Sequence, residues 1–379
     1  MPSNRSSLPA ALIAVVLAAP ATAASLSALP CTADVAADQH RPTPRETARA
    51  SEDAARAAAQ AARARQESAR EPEGQRRGGR GQRFTEKVQK VLKTSGPITI
   101  VVRNFAGTIT VTGAGDREVR IDATKVVRAS DANAAAPVLA AMDLVIEQQG
   151  DRVEVHAPVQ RWREHRWAMP TVEFDVVVPA GSSVDLKSVS GDVRVSGVRG
   201  VVMAETVSGD VTASELSSQA TLRSVSGDVQ LDASSVAGDV SANTVSGDVT
   251  ARAVKARGVT ASTVSGNITL RDASCERATL KSMSGDVEFE GALNRSARYE
   301  LKSHSGNVRL LVDGRTGFEL DASTWSGALS SDLQLTGAPA GEQDAARQRA
   351  LQGVYGDGSA RIEATTFSGN IAIGRQKAR

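Results

Sequence analysis

The side chains that could do chemistry here recur. A Ser-Gly-Asp or Ser-Gly-Asn triplet places Asp192, Asp210, Asp228, Asp248 and Asp286, with Asn267, Asn307 and Asn370, each beside a glycine: Gly191, Gly209, Gly227, Gly247, Gly285, Gly266, Gly306 and Gly369. With Asp239 they supply the oxygen donors that calcium prefers. Calcium-binding β-rolls repeat every nine residues, and the first two intervals here are 18. The detail argues against calcium. Each repeat has one Gly-Asp rather than two dense turns, and Asn or Ala interrupts the column. Stacked carboxylates also repel one another unless screened or hydrogen-bonded. The favoured reading is a turn: Gly permits positive φ, and the neighbouring Asp, Asn, Ser and Thr bond nearby backbone.

Nucleophilic chemistry is no better supported. "SVSG" echoes a Gly-x-Ser-x-Gly elbow, but the first Gly is missing and the motif recurs in every repeat. A nucleophile needs one base and one orienter. His156, His165 and His304 have no Cys, Asp or Glu at metal-ligand spacing, and His40 lies in the N-terminal segment. No catalytic residue, metal ligand or cofactor site is assigned. Four aromatic-type residues remain as candidate ligand contacts. Trp162 and Trp167 sit among Arg161, Arg163, Arg166 and His165, where stacking and charge suit a glycan or lipid headgroup; the alternative is a loop covering a joint. His304 and Trp325 break a column otherwise made mostly of Val.

The elements that must hold these residues are strands. The motif glycines 191, 209, 227, 247, 266, 285, 306, 327 and 369 are separated by 18, 18, 20, 19, 19, 21, 21 and 42 residues. Apolar and polar residues alternate on both sides, so a period near 20 predicts an all-β, single-stranded β-solenoid. Each coil alone cannot bury its apolar face, whereas stacked coils can, at about 4.8 Å per strand. The residue before Ser-Gly (Val189, Val207, Val225, Val245, Val264, Met283, His304, Trp325, Phe367) is expected on a lateral, partly exposed face. The preceding Ser/Thr column is expected to face inward. Gly107 in "NFAGTI" reads as an isolated earlier copy. The 42-residue gap holds an insertion near 337–353, expected as a loop or short helix, and the tail Gly374–Arg379 is expected to blunt one end.

Four segments follow. Residues 1–23 read as a signal peptide: Arg5, the run Leu8–Ala19 and the small residues Ala21–Ala23. That run, about 12 residues, is shorter than the roughly 20 a bilayer needs. Residues 24–83 are an Ala/Arg-rich helical or disordered linker; from Arg41 to Arg83 eleven Arg stand against six acidic residues. The basic segment is read chiefly as a solvated spacer and otherwise as an electrostatic tether. Residues 84–180 form a strand-rich part able to cap one end. In it, Asp131 opens a partly helical stretch. The repeats occupy 181–375. An aromatic content of 3% and 32 Gly imply a thin core. Net charge is only +2, so no nucleic acid is expected. Cys31 and Cys275 are taken as free, and "ALPC" (Ala28–Cys31) is not a lipobox.

The stretches "VRNFAGTITVTGAGDREVRIDATKV" (Val102–Val126) and "VVVPAGSSVDLKSVSGDVRVSGVRG" (Val176–Gly200), followed by serial "SVSGDV" coils, resemble the bacterial DUF4097 family of "putative adhesins", β-strand-repeat proteins. The resemblance covers about 98–375. It implies surface or envelope adhesion, and for some members envelope-stress signalling, and it carries no catalytic residue or cofactor. The expected function is an exported, non-catalytic envelope scaffold, periplasmic, outer-surface or secreted, with an envelope component, glycan or protein as partner. The alternatives are an envelope-stress sensor or regulator acting through a protein partner, and a polysaccharide-active β-helix enzyme.

Overall fold

The chain divides into two units, Met1–Arg77 and Gly78–Arg379. The computed structural model describes residues 82–115, 117–158, 167–337 and 349–376, all in the second unit. Trp162, His165, His40, Cys31, the signal-peptide reading and most of the linker reading lie outside the described residues.

The second unit is a β-solenoid whose coils each give one strand to each of two sheets. Within a strand, alternate residues point in. In Ser183–Ser190, Val184, Leu186 and Ser188 are buried, whereas Lys187, Val189 and Ser190 are exposed. Neighbouring coils pair in parallel and in register, so like stacks on like. Val193, Val211, Val229, Val249, Ile268, Val287, Val308 and Ile371 form one continuous internal column. In-register parallel pairing gives every internal strand two partners and leaves only the terminal rungs as edges.

The core is mostly aliphatic, with fully buried aromatic rings near both ends: Phe174 at one, Phe289, Tyr299 and Phe318 at the other. There Phe289 meets Tyr299 edge-to-face at 5.1 Å, and both are fully buried. The Tyr299 hydroxyl donates to the Cys275 carbonyl (2.8 Å) and accepts from the Asn294 amide (3.1 Å). Burial raises the pKa of this phenol. Cys275 is a free thiol within the same packing, and burial pushes it up to about 12.

Chain order and spatial order differ at both ends. Thr99–Ala106 and Ile109–Ala114 form the Gly107 coil, which stacks directly on the Gly191 coil. The strands Arg152–His156 and Thr171–Pro179 lie on its other side. Beyond these, antiparallel partners close the end: Val145–Gln149 in one sheet, Glu118–Ala129 and then Gln82–Lys93 in the other. Helix α1 (Ala132–Ala141) packs here. Asp131 is its N-cap and accepts the Ala134 amide at 2.9 Å, as expected of an Asp at that position. Gly107 is thus a full coil of the stack rather than an isolated copy.

At the other end the last coil in sequence is not the last in space. Ala360–Ser368 pairs with Arg298–Ser305 on one side and Phe318–Ser326 on the other. Ile371–Arg375 likewise lies between Val308–Val312 and Leu329–Ser331. The tail beginning at Gly374 therefore continues an internal strand, which corrects its assignment as the blunt end. The Gly327 coil is the terminal one. Residues Ala350–Tyr355, read from sequence as part of a loop or helix, form an antiparallel strand on its open edge. An antiparallel closing strand ends the parallel stack, the remedy expected for an exposed edge.

A second corner of the coil carries no sequence signature. It uses a left-handed residue that is Gly197 once and otherwise Glu215, Ala233, Ala253 or Asp272, with φ between +45° and +68°. Ala253 is exposed and holds φ +51°. Left-handed backbone is unfavourable by about 1–2 kcal/mol for a residue with a Cβ, partly offset by the entropy glycine adds to the unfolded chain. Ala253→Gly is therefore expected to stabilise the solenoid by up to about 1 kcal/mol, seen as a melting midpoint higher by roughly 2–4 °C. A midpoint unchanged or lowered would count against strain at this corner.

Candidate functional site

The Ser-Gly-Asp corner forms two ladders of hydrogen bonds. In the first, each Ser or Thr before the corner donates to the glycine carbonyl of the adjacent coil: Thr206 to Gly191 (3.1 Å), Ser224 to Gly209 (2.9 Å), Thr244 to Gly227 (2.9 Å), and on to Thr366 to Gly306 (2.8 Å) and Thr324 to Gly369 (2.9 Å). These hydroxyls are buried, and the glycine carbonyls give them the partners buried polar groups require. Ser188 is the exception. The Gly107 carbonyl already accepts from Asn104 Nδ2 at 3.0 Å, and Ser188 Oγ has no partner among the described residues.

In the second ladder each Asp or Asn side chain accepts the backbone amide of its counterpart one coil on. Asp210 Oδ1 accepts from Asp228 N (2.8 Å), Asp228 from Asp248 N (2.8 Å), and Asp248 from Asn267 N (2.7 Å). The series ends Asp286 to Asn307 N (2.7 Å), Asn307 to Asn370 N (3.0 Å), and Asn370 to Ala328 N (2.8 Å). Ala328 needs no carbonyl side chain, because its coil is the terminal one. This ladder uses the Oδ1 of each side chain to hold backbone, the turn role expected of the motif. Asp239 stands outside the column and faces Arg257 at 3.4 Å. Among the described residues no group of three or more His, Cys, Asp or Glu converges as metal ligands would.

What the corners display is an outward stripe. Phe105, Val189, Val207, Val225, Val245, Val264 and Met283 are all exposed, and the stripe ends in His304, Phe367 and Trp325. The sequence places Phe367 42 residues after Trp325, yet intercalation of the last coil puts it between the other two. His304 and Phe367 are parallel to within 10° at 4.9 Å, and Phe367 and Trp325 to within 3° at 6.0 Å. Parallel rings at these separations are offset-stacked. Trp325 keeps 65% of its surface open and Phe367 48%.

Beside the stack runs a groove of about 660 Å³. Its other wall includes Lys281, Lys302, Thr365 and Ser323. Lys302 bonds Glu363 (2.7 Å) and Glu300 (2.9 Å), and Lys281 bonds Glu300 (3.0 Å). The Lys302 hydrogen bond, with Lys281 behind it, holds the Glu300 carboxyl below the usual carboxylate range. Glu363 and then Glu300 raise the Lys302 ammonium. The wall is thus a charged network that neutralises itself.

The structure brings His304 and Trp325 together and adds Phe367, which the sequence showed only as a member of the column. It does not bring Trp167 to them. Trp167 is exposed just before Thr171–Pro179, at the opposite end of the stack. That end has its own smaller hollow of about 370 Å³, lined by Phe105, Arg103, Glu154 and His156 among others. Asn370 caps Ala328, which sets the Gly327 coil beyond the last coil in sequence and Phe367 inside the stack. Among the described residues no helix is long and apolar enough to cross a membrane.

The corner ladders, the paired strands and the serial coils define a class, the β-solenoid with Gly-Asp corners. Within it the chain belongs to the Toastrack DUF4097 family, whose model matches residues 90–270, 239–297 and 292–374. No curated protein matches the chain. Among solved structures it is similar to a "putative adhesin" from Bacteroides fragilis (12% identity, TM-score 0.37, covering 77% of this chain and 97% of that one). A "putative lipid binding protein" from Parabacteroides distasonis is similar at 11% identity and TM-score 0.37, over 77% and 97%. A "putative cell adhesion protein" from Clostridium sporogenes is similar at 12% identity and TM-score 0.21, over 77% and 100%.

Proposed function

We propose that this chain is an exported, non-catalytic scaffold of the cell envelope that binds or adheres through its outward stripe. The observation that supports the reading best is the stripe itself. Large apolar side chains lie exposed on every coil from Phe105 to Trp325 but the one that carries His304, where a strand face turned to water normally carries polar residues. Contiguous exposed apolar surface marks an interaction site. The in-register ladders fix the backbone that carries that surface, so little backbone freedom remains to be lost on binding. Repetition along the rod lets weak contacts act together through effective concentration.

Cell fractionation followed by sedimentation with isolated envelope tests the reading. The expected result is a chain recovered outside the cytoplasm that co-sediments with envelope. Replacing Val207, Val225 and Val245 together by Ser should release it. Recovery in the cytoplasm, or co-sedimentation indifferent to those three substitutions, overturns the proposal.

A further inference from the structure

We propose that the groove beside the His304–Phe367–Trp325 stack binds a linear, uncharged polysaccharide laid along the solenoid axis. The inference rests on the envelope-scaffold reading and names its ligand. The first argument is length scale. Groove positions repeat once per coil, about 4.8 Å apart from strand to strand, with ring centroids stepping by 4.9 and 6.0 Å. An extended peptide presents same-face side chains roughly 6.6 Å apart and falls out of step within two coils. The residues of an extended β-1,4-linked glycan repeat at close to the coil spacing and stay in step.

The second argument is the chemistry of the two walls. An offset stack leaves part of each ring face uncovered by its neighbour, a staircase of apolar ledges fitted to the C–H faces of sugar rings. Trp325 and Phe367 are open enough to serve. Opposite them, the hydroxyls of Thr365 and Ser323 make no hydrogen bond to the described residues and both line the groove. Lys302 has three N–H donors and two carboxylate partners, so one donor is left for a sugar hydroxyl. The floor takes no part, because Ser303, Thr366 and Thr324 donate to the glycine carbonyls.

The third argument is charge. Lys281 and Lys302 line the groove, and Glu300 and Glu363 pair with them from beside it. No cationic excess remains to draw a polyanion, so the fit is to a neutral chain.

Calorimetry of the full chain with cellohexaose and chitohexaose, and with polygalacturonate as the acidic comparison, tests this. Saturable binding of a neutral hexasaccharide is expected, with polygalacturonate weaker. Trp325→Ala and Phe367→Ala should each lower affinity about tenfold. Trp325→Tyr should retain most of it, and Gln230→Ala, exposed on the other sheet several coils away, all of it. An unchanged melting midpoint in each variant excludes misfolding as the cause. Absence of binding by either neutral sugar, equal affinity in Trp325→Ala, or preference for the polyanion overturns the assignment. Envelope sedimentation run with excess hexasaccharide separates the two readings. Sedimentation that persists under competition removes the glycan and leaves the scaffold; no sedimentation without sugar removes the scaffold itself.

Discussion

Deleting Ala360–Arg379 should unfold more than the coil it removes. In a stack that followed chain order, loss of the final coil would cost one interface in each sheet. Here Ala360–Ser368 and Ile371–Arg375 lie between two coils, so the deletion breaks four strand pairings. The buried side chains lost include Ile362, Ile371 and Ile373. At about 1.5–3 kcal/mol each they contribute roughly 5–9 kcal/mol. The Gly327 coil, detached from the Gly306 coil, has too little apolar surface of its own to stay folded. The expected result is rapid proteolysis within Phe318–Ser326 and Ala350–Tyr355 and a melting midpoint lower by about 10 °C or more. Protection of Phe318–Ser326 equal to that in the full chain would show that the terminal coil stands without its neighbour, against the intercalated order.

Gly227→Ala is the second large effect. Gly227 holds φ +150°, and a Cβ there would overlap the Gly209 carbonyl oxygen and sit 3.0 Å from Asp210 Oδ1. The backbone conformation is unfavourable for alanine by about 1–3 kcal/mol, and overpacking adds about 1–3 kcal/mol. The obstruction is backbone, so no side chain can swing aside. Both ladders pass through this point: the Gly209 carbonyl accepts Ser224, and Asp210 accepts the Asp228 amide. A loss of about 3 kcal/mol or more is expected in chemical denaturation. Gly115→Ala is the control: Gly115 is exposed, its Cβ meets nothing within 4 Å, and its φ is not positive. It should change stability by less than about 0.5 kcal/mol. Equal effects from the two substitutions would sink the stacking argument.

The corner explains why much of the fold is legible in sequence. Only glycine meets both demands at Gly209 or Gly227, positive φ and a carbonyl directly below, so these residues recur once per coil and fix the period. The apolar alternation around them names the buried faces. The outward placement of Val189 and its column follows from the same alternation, because Ser188 and its counterparts must turn in to reach a carbonyl. The second corner was silent because left-handed backbone there costs little enough for Glu215, Ala233, Ala253 and Asp272 to bear it.

The sequence by itself determined the coil: its period, its corner chemistry and which side chains face water. These are local and repeat with the chain, so a few neighbouring copies reveal them. Only the tertiary structure decided which coils are neighbours. Parallel strands are joined by crossovers, and a crossover of sufficient length can set its strand beside any rung of matching register. All coils here share that register, so the residues alone do not say that Phe367 lies between His304 and Trp325, or that the Gly107 coil lies against the Gly191 coil. The aromatic stack and its groove belong to that choice of neighbours, and they exist only once the last coil has entered the stack.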